Sequence, residues 1–368
     1  MLAALFLLVG YFTDVERSIL SRRRYLCFCF FLLFLLMGLR GPSVGNDTMQ
    51  YYQAYETLGK LPWRDVAQQR YEWGFFAFCK ILYGISPHPQ TLLLVTSGFF
   101  CAVMAHFLLR YGENIVLAAV LFLLLNFIAV FLNLMRQMMA VCMVILAMER
   151  WWDKKYLSSV LLLLAAPMFH RSALICLLFP FLSKRRFPAW LWIVFFGTAG
   201  VCFWQYQRLY TIAAMLLGRY SHYLGSEFGN SNYFGMLLQA LVCLSVLLYG
   251  IYKRRCGTQK EALPVDFQMY MLAFGTFCYI VGMRMYMFSR MTPYFTIYYL
   301  TWLGKCEPLR RWKTLLFPNQ SQTVRLKHYS CEPLAVIAVA AVYFLIIHLF
   351  RPEWQGIVPY CFFWQMQE

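Results

Sequence analysis

The chemistry this sequence offers lies in polar residues placed where apolar runs end. Arg40, Arg136, Arg171, Arg284 and Arg290 each fall at or just inside the end of a long apolar stretch. Ionisable groups at membrane depth are costly, and by default they mark a site. Snorkelling to headgroups is the plain alternative for any one of them. A guanidinium offers permanent charge and a fixed fork of donors, which suits phosphate oxygens. A pyrophosphate at the membrane surface is the economical ligand for the set.

More polar groups accompany these arginines. Gly45-Asn46-Asp47-Thr48 and Tyr51 follow Arg40, and Asp47 is placed either to cap a helix starting near Met49 or to line a site. Glu72 opens the apolar stretch Trp73–Ile85, as a dipole partner for that helix or as a ligand for hydroxyl groups. Asn133, Arg136 and Gln137 lie at a tip between apolar runs, and His170, Arg171 and Ser172 at another. His170 is the leading candidate for a general base, with Asp47 and Glu72 as rivals. Ser172, two residues on, would point elsewhere on a helix, so no Ser–His pair is expected. Tyr51, Tyr52, Tyr55, Trp63 and Trp73 would stack on sugar rings or, for most of them, form an interfacial belt. There is no DxD, HExxH, His/Cys cluster or P-loop, which disfavours a metal-dependent, nucleotide-using enzyme; no metal and no cofactor is expected.

The elements that must position these residues are membrane helices. Of 368 residues 61% are hydrophobic and only 13% charged, with a mean hydropathy of +0.56. That leaves too few polar residues to coat a soluble core. Apolar runs of near-spanning length recur, and continuous runs without alternation exclude a barrel. The fold class is therefore an all-α polytopic integral membrane protein. The net charge of +17 would suit nucleic acid, but its basic clusters sit in short connections between apolar runs. That is the positive-inside signature, and no nucleic-acid partner is expected. The thirteen cysteines show no metal or redox spacing, and those in apolar runs behave as small hydrophobes.

Placing each basic cluster inside orders the spans. Met1–Phe12 is a short retained first span, Tyr25–Leu39 exits, and 41–90 forms an outer-face segment with amphipathic helices. Thr91–Arg110, Ile115–Asn133 and Gln137–Trp152 follow. Tyr156–Phe169 and Ser172–Leu182 make a short hairpin with His170-Arg171 at its outward tip. Pro188–Tyr206, an outer loop at 208–233, Phe234–Tyr252, Phe267–Met283, Thr292–Gly304, a cytoplasmic loop at 305–330 and Leu334–Phe350 complete one transmembrane domain, 1–368. This amounts to about ten full spans plus the hairpin, or about twelve membrane segments. A rival arrangement makes Glu72–Ile85 a span and Ile115–Trp152 one kinked helix, which would turn Arg110 outward.

The ordered run Arg40…Val44-Gly45-Asn46-Asp47-Thr48…Tyr51, Glu72, Asn133…Arg136-Gln137 and His170-Arg171-Ser172-Ala173-Leu174 resembles the EpsG-like branch of the Wzy-type polysaccharide polymerases. In that family the pattern reads roughly G-x-D-T-x-x-Y, E, F-N-x-x-R-Q and F-H-x-S-A-L; here Leu132 replaces the usual Phe before Asn133. The match is good over Arg40 to Leu182, and beyond it extends only to hydropathy and the arginine-bearing helix end Arg284–Arg290. The resemblance implies a GT-C-like glycosyltransferase of the bacterial inner membrane, acting at the periplasmic face. It would join undecaprenyl-pyrophosphate-linked oligosaccharide repeat units into a capsule, exopolysaccharide or O-antigen chain, with a chain-length regulator protein as a candidate partner. On that chemistry Arg136, Arg284, Arg290 and Arg40 are assigned to the pyrophosphate. His170, Asp47 and Glu72 are the catalytic candidates, and Tyr51, Asn133, Gln137 and Arg171 are assigned to substrate. A ligase, a lipid-linked glycan flippase or transporter, and a membrane O-acyltransferase are the alternatives. A transporter should show internal symmetry, and none is visible; an acyltransferase needs a path to a cytoplasmic donor, whereas His170 is expected outward.

Overall fold

A computed structural model describes residues 1–68, 70–217, 233–256, 263–304, 332–350 and 355–365. The 305–330 loop, with its cluster Arg310, Arg311 and Lys313, lies outside the described residues, as does most of the outer loop at 208–233. Among the described residues the regular structure is helical, and the sole strand-like pairing is an isolated antiparallel bridge between Arg40 and Phe362.

The chain forms two compact units, Met1–Leu177 with Gly304–Glu368, and Leu178–Leu303. The first unit contains α1 (Leu2–Phe12), α2 (Ile19–Gly38), α3 (Thr48–Lys60), α4 (Trp73–Ile85), α5 (Gln90–Tyr111) and α6 (Ile115–Leu124). It continues with α7 (Phe127–Asn133), α8 (Met135–Trp152) and α9 (Tyr156–Phe169). Local chemistry sets several boundaries. Ser18 accepts from the Ser21 N–H at 3.1 Å at the start of α2, and Asn114 accepts from the Leu117 N–H at 3.0 Å at the start of α6. Both satisfy amides that a helix start leaves orphaned. The expected Ile115–Asn133 span is bent by 54° between α6 and α7. Asn126 makes that bend in the left-handed region, with φ 63°, where asparagine is among the tolerated residues.

The second unit contains α10 (Phe179–Leu182), α11 (Leu191–Trp204), α12 (Tyr206–Leu217), α13 (Tyr233–Cys256) and α14 (Val265–Gly282). The short turns α15 (Tyr286–Ser289), α16 (Pro293–Thr296) and α17 (Tyr299–Leu303) follow it. These turns correct the expectation of a single span over Thr292–Gly304. The hydroxyls of Thr292, Thr296 and Thr301 donate to the carbonyls of Ser289, Thr292 and Tyr298, and such back-bonding competes with regular helix. The whole stretch 292–304 is buried, and non-helical backbone at membrane depth is tolerated where protein surrounds it. The next described element, α18 (Glu332–Phe350), belongs to the first unit and packs on α6.

Among the described residues four helices are long and apolar enough to cross a membrane, namely α5, α14, α18 and the Gly235–Tyr252 part of α13; the bent α6–α7 pair makes five. Shorter apolar helices, including α1, α4, α9 and α11, stand beside them. The chain is a membrane protein of helical class.

Candidate functional site

The site forms in the first unit, where one hydrophobic cluster brings distant segments together. Tyr51, Tyr55 and Leu58 of α3, Phe75, Phe76 and Cys79 of α4, Leu92 and Leu93 of α5 and Met135 of α8 pack as one buried group, with Phe169 of α9 against it. The polar residues singled out above are the immediate neighbours of these apolar ones. Tyr51 is itself a member, Glu72 precedes α4, Arg136 follows Met135, and His170 follows Phe169.

Glu72 and Arg136, 64 positions apart in sequence, form an ion pair through Oε2 and Nη1. Both side chains are largely buried, and the Arg136 guanidinium lies 4.9 Å from the Tyr71 ring centre and 5.7 Å from that of Phe75. Arg136 Nε is buried with no hydrogen-bond partner. Tyr51 stands beside the pair. Burial pushes its phenol above the ordinary range, Arg136 pulls it back and Asp47 adds to the rise. Asp47, Tyr51, Glu72 and Arg136 thus share one neighbourhood. Asp47 is the residue before α3, but its side chain makes no capping bond to that helix. Asp47 thus holds the expected N-cap position, but without the side-chain bond of a cap.

The turn that carries Asp47 is built from both motifs. Gly45 has φ +93°, a conformation costly for residues with a Cβ. A Cβ there would also meet Thr48 Oγ1 at 2.9 Å. Thr48 Oγ1 donates to the Val44 carbonyl at 2.6 Å, and the Asn46 N–H donates to Asn133 Oδ1 at 2.6 Å. Arg40 is only 2% exposed and spends its donors on this frame. Nη1 donates to the Met37 carbonyl, Nε to Thr48 Oγ1 at 3.4 Å and Nη2 to the Leu132 carbonyl at 3.4 Å. Burial pulls this guanidinium down to about 10, and the facing Tyr360, Tyr52 and Tyr51 push back. Gln137 is buried one residue beyond Arg136.

His170 ends α9 in extended conformation, φ −154° and ψ 119°. The chain beyond it is a 3-10 stretch, Arg171–Leu178, and not the start of an α-helix. This corrects the expectation about Ser172, whose Oγ lies 2.6 Å from His170 Nδ1. A helix running across both residues would hold the two side chains apart. Because the backbone is extended at His170, the serine folds back on the ring. The N-terminal turn of α4 rests on this tip: a Cβ on Gly74 would lie 2.7 Å from the Met168 carbonyl oxygen, and Phe78 packs edge-on against Phe169 at 5.9 Å. Arg171 is exposed.

Arg284 and Arg290 belong to the second unit. The Arg284 guanidinium lies 4.9 Å from the Phe203 ring centre and 5.1 Å from that of Tyr206, and Arg290 is exposed. Among the described residues no group of three or more His, Cys, Asp or Glu side chains is placed to hold a metal ion.

Sequence reasoning missed the closing segment. Asn133 Nδ2 donates to the Gln355 carbonyl at 3.1 Å and also to Gln355 Oε1, and the Gly45 N–H donates to the Gly356 carbonyl at 2.7 Å. Tyr71, adjacent to Glu72 and stacked on Arg136, was also passed over. Its position beside an acidic residue at a helix start was the available signal. Gln355 had no local signal, because its role depends wholly on a partner 222 positions away.

No curated protein and no solved structure matches this chain. A family model described as the EpsG family matches residues 23–362, which takes in every motif from Arg40 to Ser172 and the closing segment as far as residue 362. The chain belongs to the EpsG family, the EpsG-like branch of the Wzy-type polysaccharide polymerases.

Proposed function

We propose that this chain is a polysaccharide polymerase that joins oligosaccharide repeat units carried on undecaprenyl pyrophosphate, at the outer face of a bacterial inner membrane. The observation that supports this reading is the gathering of Asp47, Tyr51, Glu72 and Arg136 around one buried cluster that also seats the His170 tip. About ten spans and a GT-C-like arrangement remain part of the proposal.

In the reaction the acceptor sugar hydroxyl attacks the anomeric carbon of the donor. The bond from that carbon to the pyrophosphate oxygen breaks, and the lipid pyrophosphate leaves with the electron pair. A base takes the hydroxyl proton. Arg136 supplies preorganised charge for the leaving group, the kind of interaction worth about 10² to 10³ in rate when one donor is removed. Its pairing with Glu72 reshapes the roles: Glu72 holds the guanidinium in place, and so is a weaker candidate for the base. His170 takes the proton on Nε2 when its Nδ1–H donates to Ser172 Oγ, so Ser172 orients the ring. Asp47 binds acceptor hydroxyls beside Tyr51, with Asn133, Gln137 and Arg171 also assigned to substrate. Arg284 and Arg290 are assigned to the pyrophosphate, and Arg40 holds the Gly45–Thr48 turn. A chain-length regulator remains a candidate partner.

Purified protein reconstituted with a lipid-linked repeat unit tests this. Arg136→Ala and His170→Ala should each cut chain lengthening by about 10² or more while the protein still inserts. Full-length polymer from both variants would overturn the site. Strict dependence on Mg²⁺ or Mn²⁺ would overturn the mechanism as written.

A further inference from the structure

The segment Gln355–Gln365 crosses the loop that carries the first motif and bonds to it at successive points. The Gly45 N–H donates to the Gly356 carbonyl at 2.7 Å, the Gly41 N–H to the Cys361 carbonyl at 2.9 Å and the Phe363 N–H to the Leu39 carbonyl at 3.0 Å. The Tyr360 hydroxyl donates to the Leu36 carbonyl, and Ser43 Oγ lies 2.9 Å from Cys361 Sγ. Gly356 has φ +60°, and a Cβ there would come within 2.5 Å of Asn46 Oδ1. This is a fitted strap, matched to the loop along its length.

Its first residue reaches further. Asn133 Nδ2 donates to the Ala129 carbonyl at 2.9 Å and to both the carbonyl and Oε1 of Gln355. An amide has one donor end and one acceptor end. With the donor end committed to Ala129 and Gln355, the acceptor Oδ1 is turned toward the Asn46 N–H, which it receives at 2.6 Å. That bond fixes the turn immediately before Asp47.

We infer that Gln355 is a positioning residue of the site, which sets Asp47 through Asn133 and Asn46, and that the strap stays docked throughout turnover. The inference rests on the polymerase reading for its activity readout, but docking has a readout of its own.

Two experiments in the full-length, membrane-inserted protein test it. Gln355→Met keeps the size of the side chain and removes the acceptor, whereas Gln355→Glu keeps an acceptor oxygen. Gln355→Met should lower kcat for chain lengthening about tenfold at nearly unchanged KM, and Gln355→Glu should restore most of it. Equal activity of Gln355→Met and wild type, in a preparation where wild type lengthens chains, overturns the positioning role. A wild type that lengthens nothing fails the polymerase reading instead. In the second experiment, Ser43→Cys is oxidised to join Cys361, whose Sγ lies 2.9 Å from Ser43 Oγ. The link should form readily, and the oxidised protein should keep wild-type lengthening. Failure to form it overturns the docking, whatever the activity. Loss of lengthening that a reductant restores overturns the claim that the strap stays in place.

Discussion

Helix α8 carries an ionic group at each end, and the two are built on opposite plans. At one end Arg136 meets a single carboxylate, Glu72, over two aromatic rings, with its Nε buried and without a hydrogen-bond partner. Roughly 20 Å along the same helix, buried Glu149 receives Arg110 Nη1 at 2.6 Å and lies 2.9 Å from His106 Nε2. Arg110 also donates to Asp153 through both terminal nitrogens. The second group surrounds its acceptor with two side chains from α5, Arg110 and His106, and that is how a helix pair is pinned together. The first leaves a guanidinium under-used in an aromatic setting. A buried donor without a partner costs free energy; a protein keeps one where something else supplies the partner. On the function proposed above, the second group is a fastening and the first is part of the site.

That contrast can be broken most sharply at the fastening. Arg110→Ala leaves the buried Glu149 carboxylate with His106 and should cost about 2 kcal/mol of stability, less than the loss of one partner of a fully buried pair because Arg110 is a third exposed. Thermal unfolding in detergent measures this, and lengthening per folded molecule should stay unchanged. A variant as stable as wild type but inactive would place the chemistry at the wrong end of α8. Glu72→Gln should behave in the opposite way. It keeps an acceptor for Arg136 and removes the charge that fixes it, so kcat/KM should fall about tenfold, or about 1.4 kcal/mol, with stability nearly unchanged. A variant that melts much earlier but turns over normally would make Glu72–Arg136 a second fastening.

The smallest expected effect is a flat alkaline response. Arg40 is pulled down to about 10 by burial, so the unfolded chain holds that proton more tightly than the folded one. Its titration therefore changes stability only above about pH 10, where stability rises with pH. The Tyr51 phenol is pushed up by burial and also stays protonated in the working range. Stability should thus be level between pH 7 and 9 as far as these two groups are concerned. A steep change there that Arg40→Met abolishes would show that the frame around the Gly45 turn titrates.

Much of this was legible in the chain order. Apolar runs gave α5, α13, α14 and α18 to within four residues at each end, because a helix in lipid must close its own hydrogen bonds and needs no distant partner to do so. The motif residues were legible as well, since a charge at the end of an apolar run is conspicuous whatever its partner. The breaks were less so. Asn126 bends the α6–α7 pair through a backbone conformation that hydropathy does not register, and the buried turns after Arg290 read as a span because burial in protein and in lipid select the same residues.

By itself the sequence determined the helical membrane class and the residue types that carry charge at helix ends, for these depend on local composition. Only the tertiary structure decided that Glu72 holds Arg136, that Ser172 folds back on His170, and that Gln355 orients Asn133. Each of these is a directional bond whose geometry is set by packing. Two of them join residues 64 and 222 positions apart, and the third depends on an extended backbone at His170 that residue spacing does not specify.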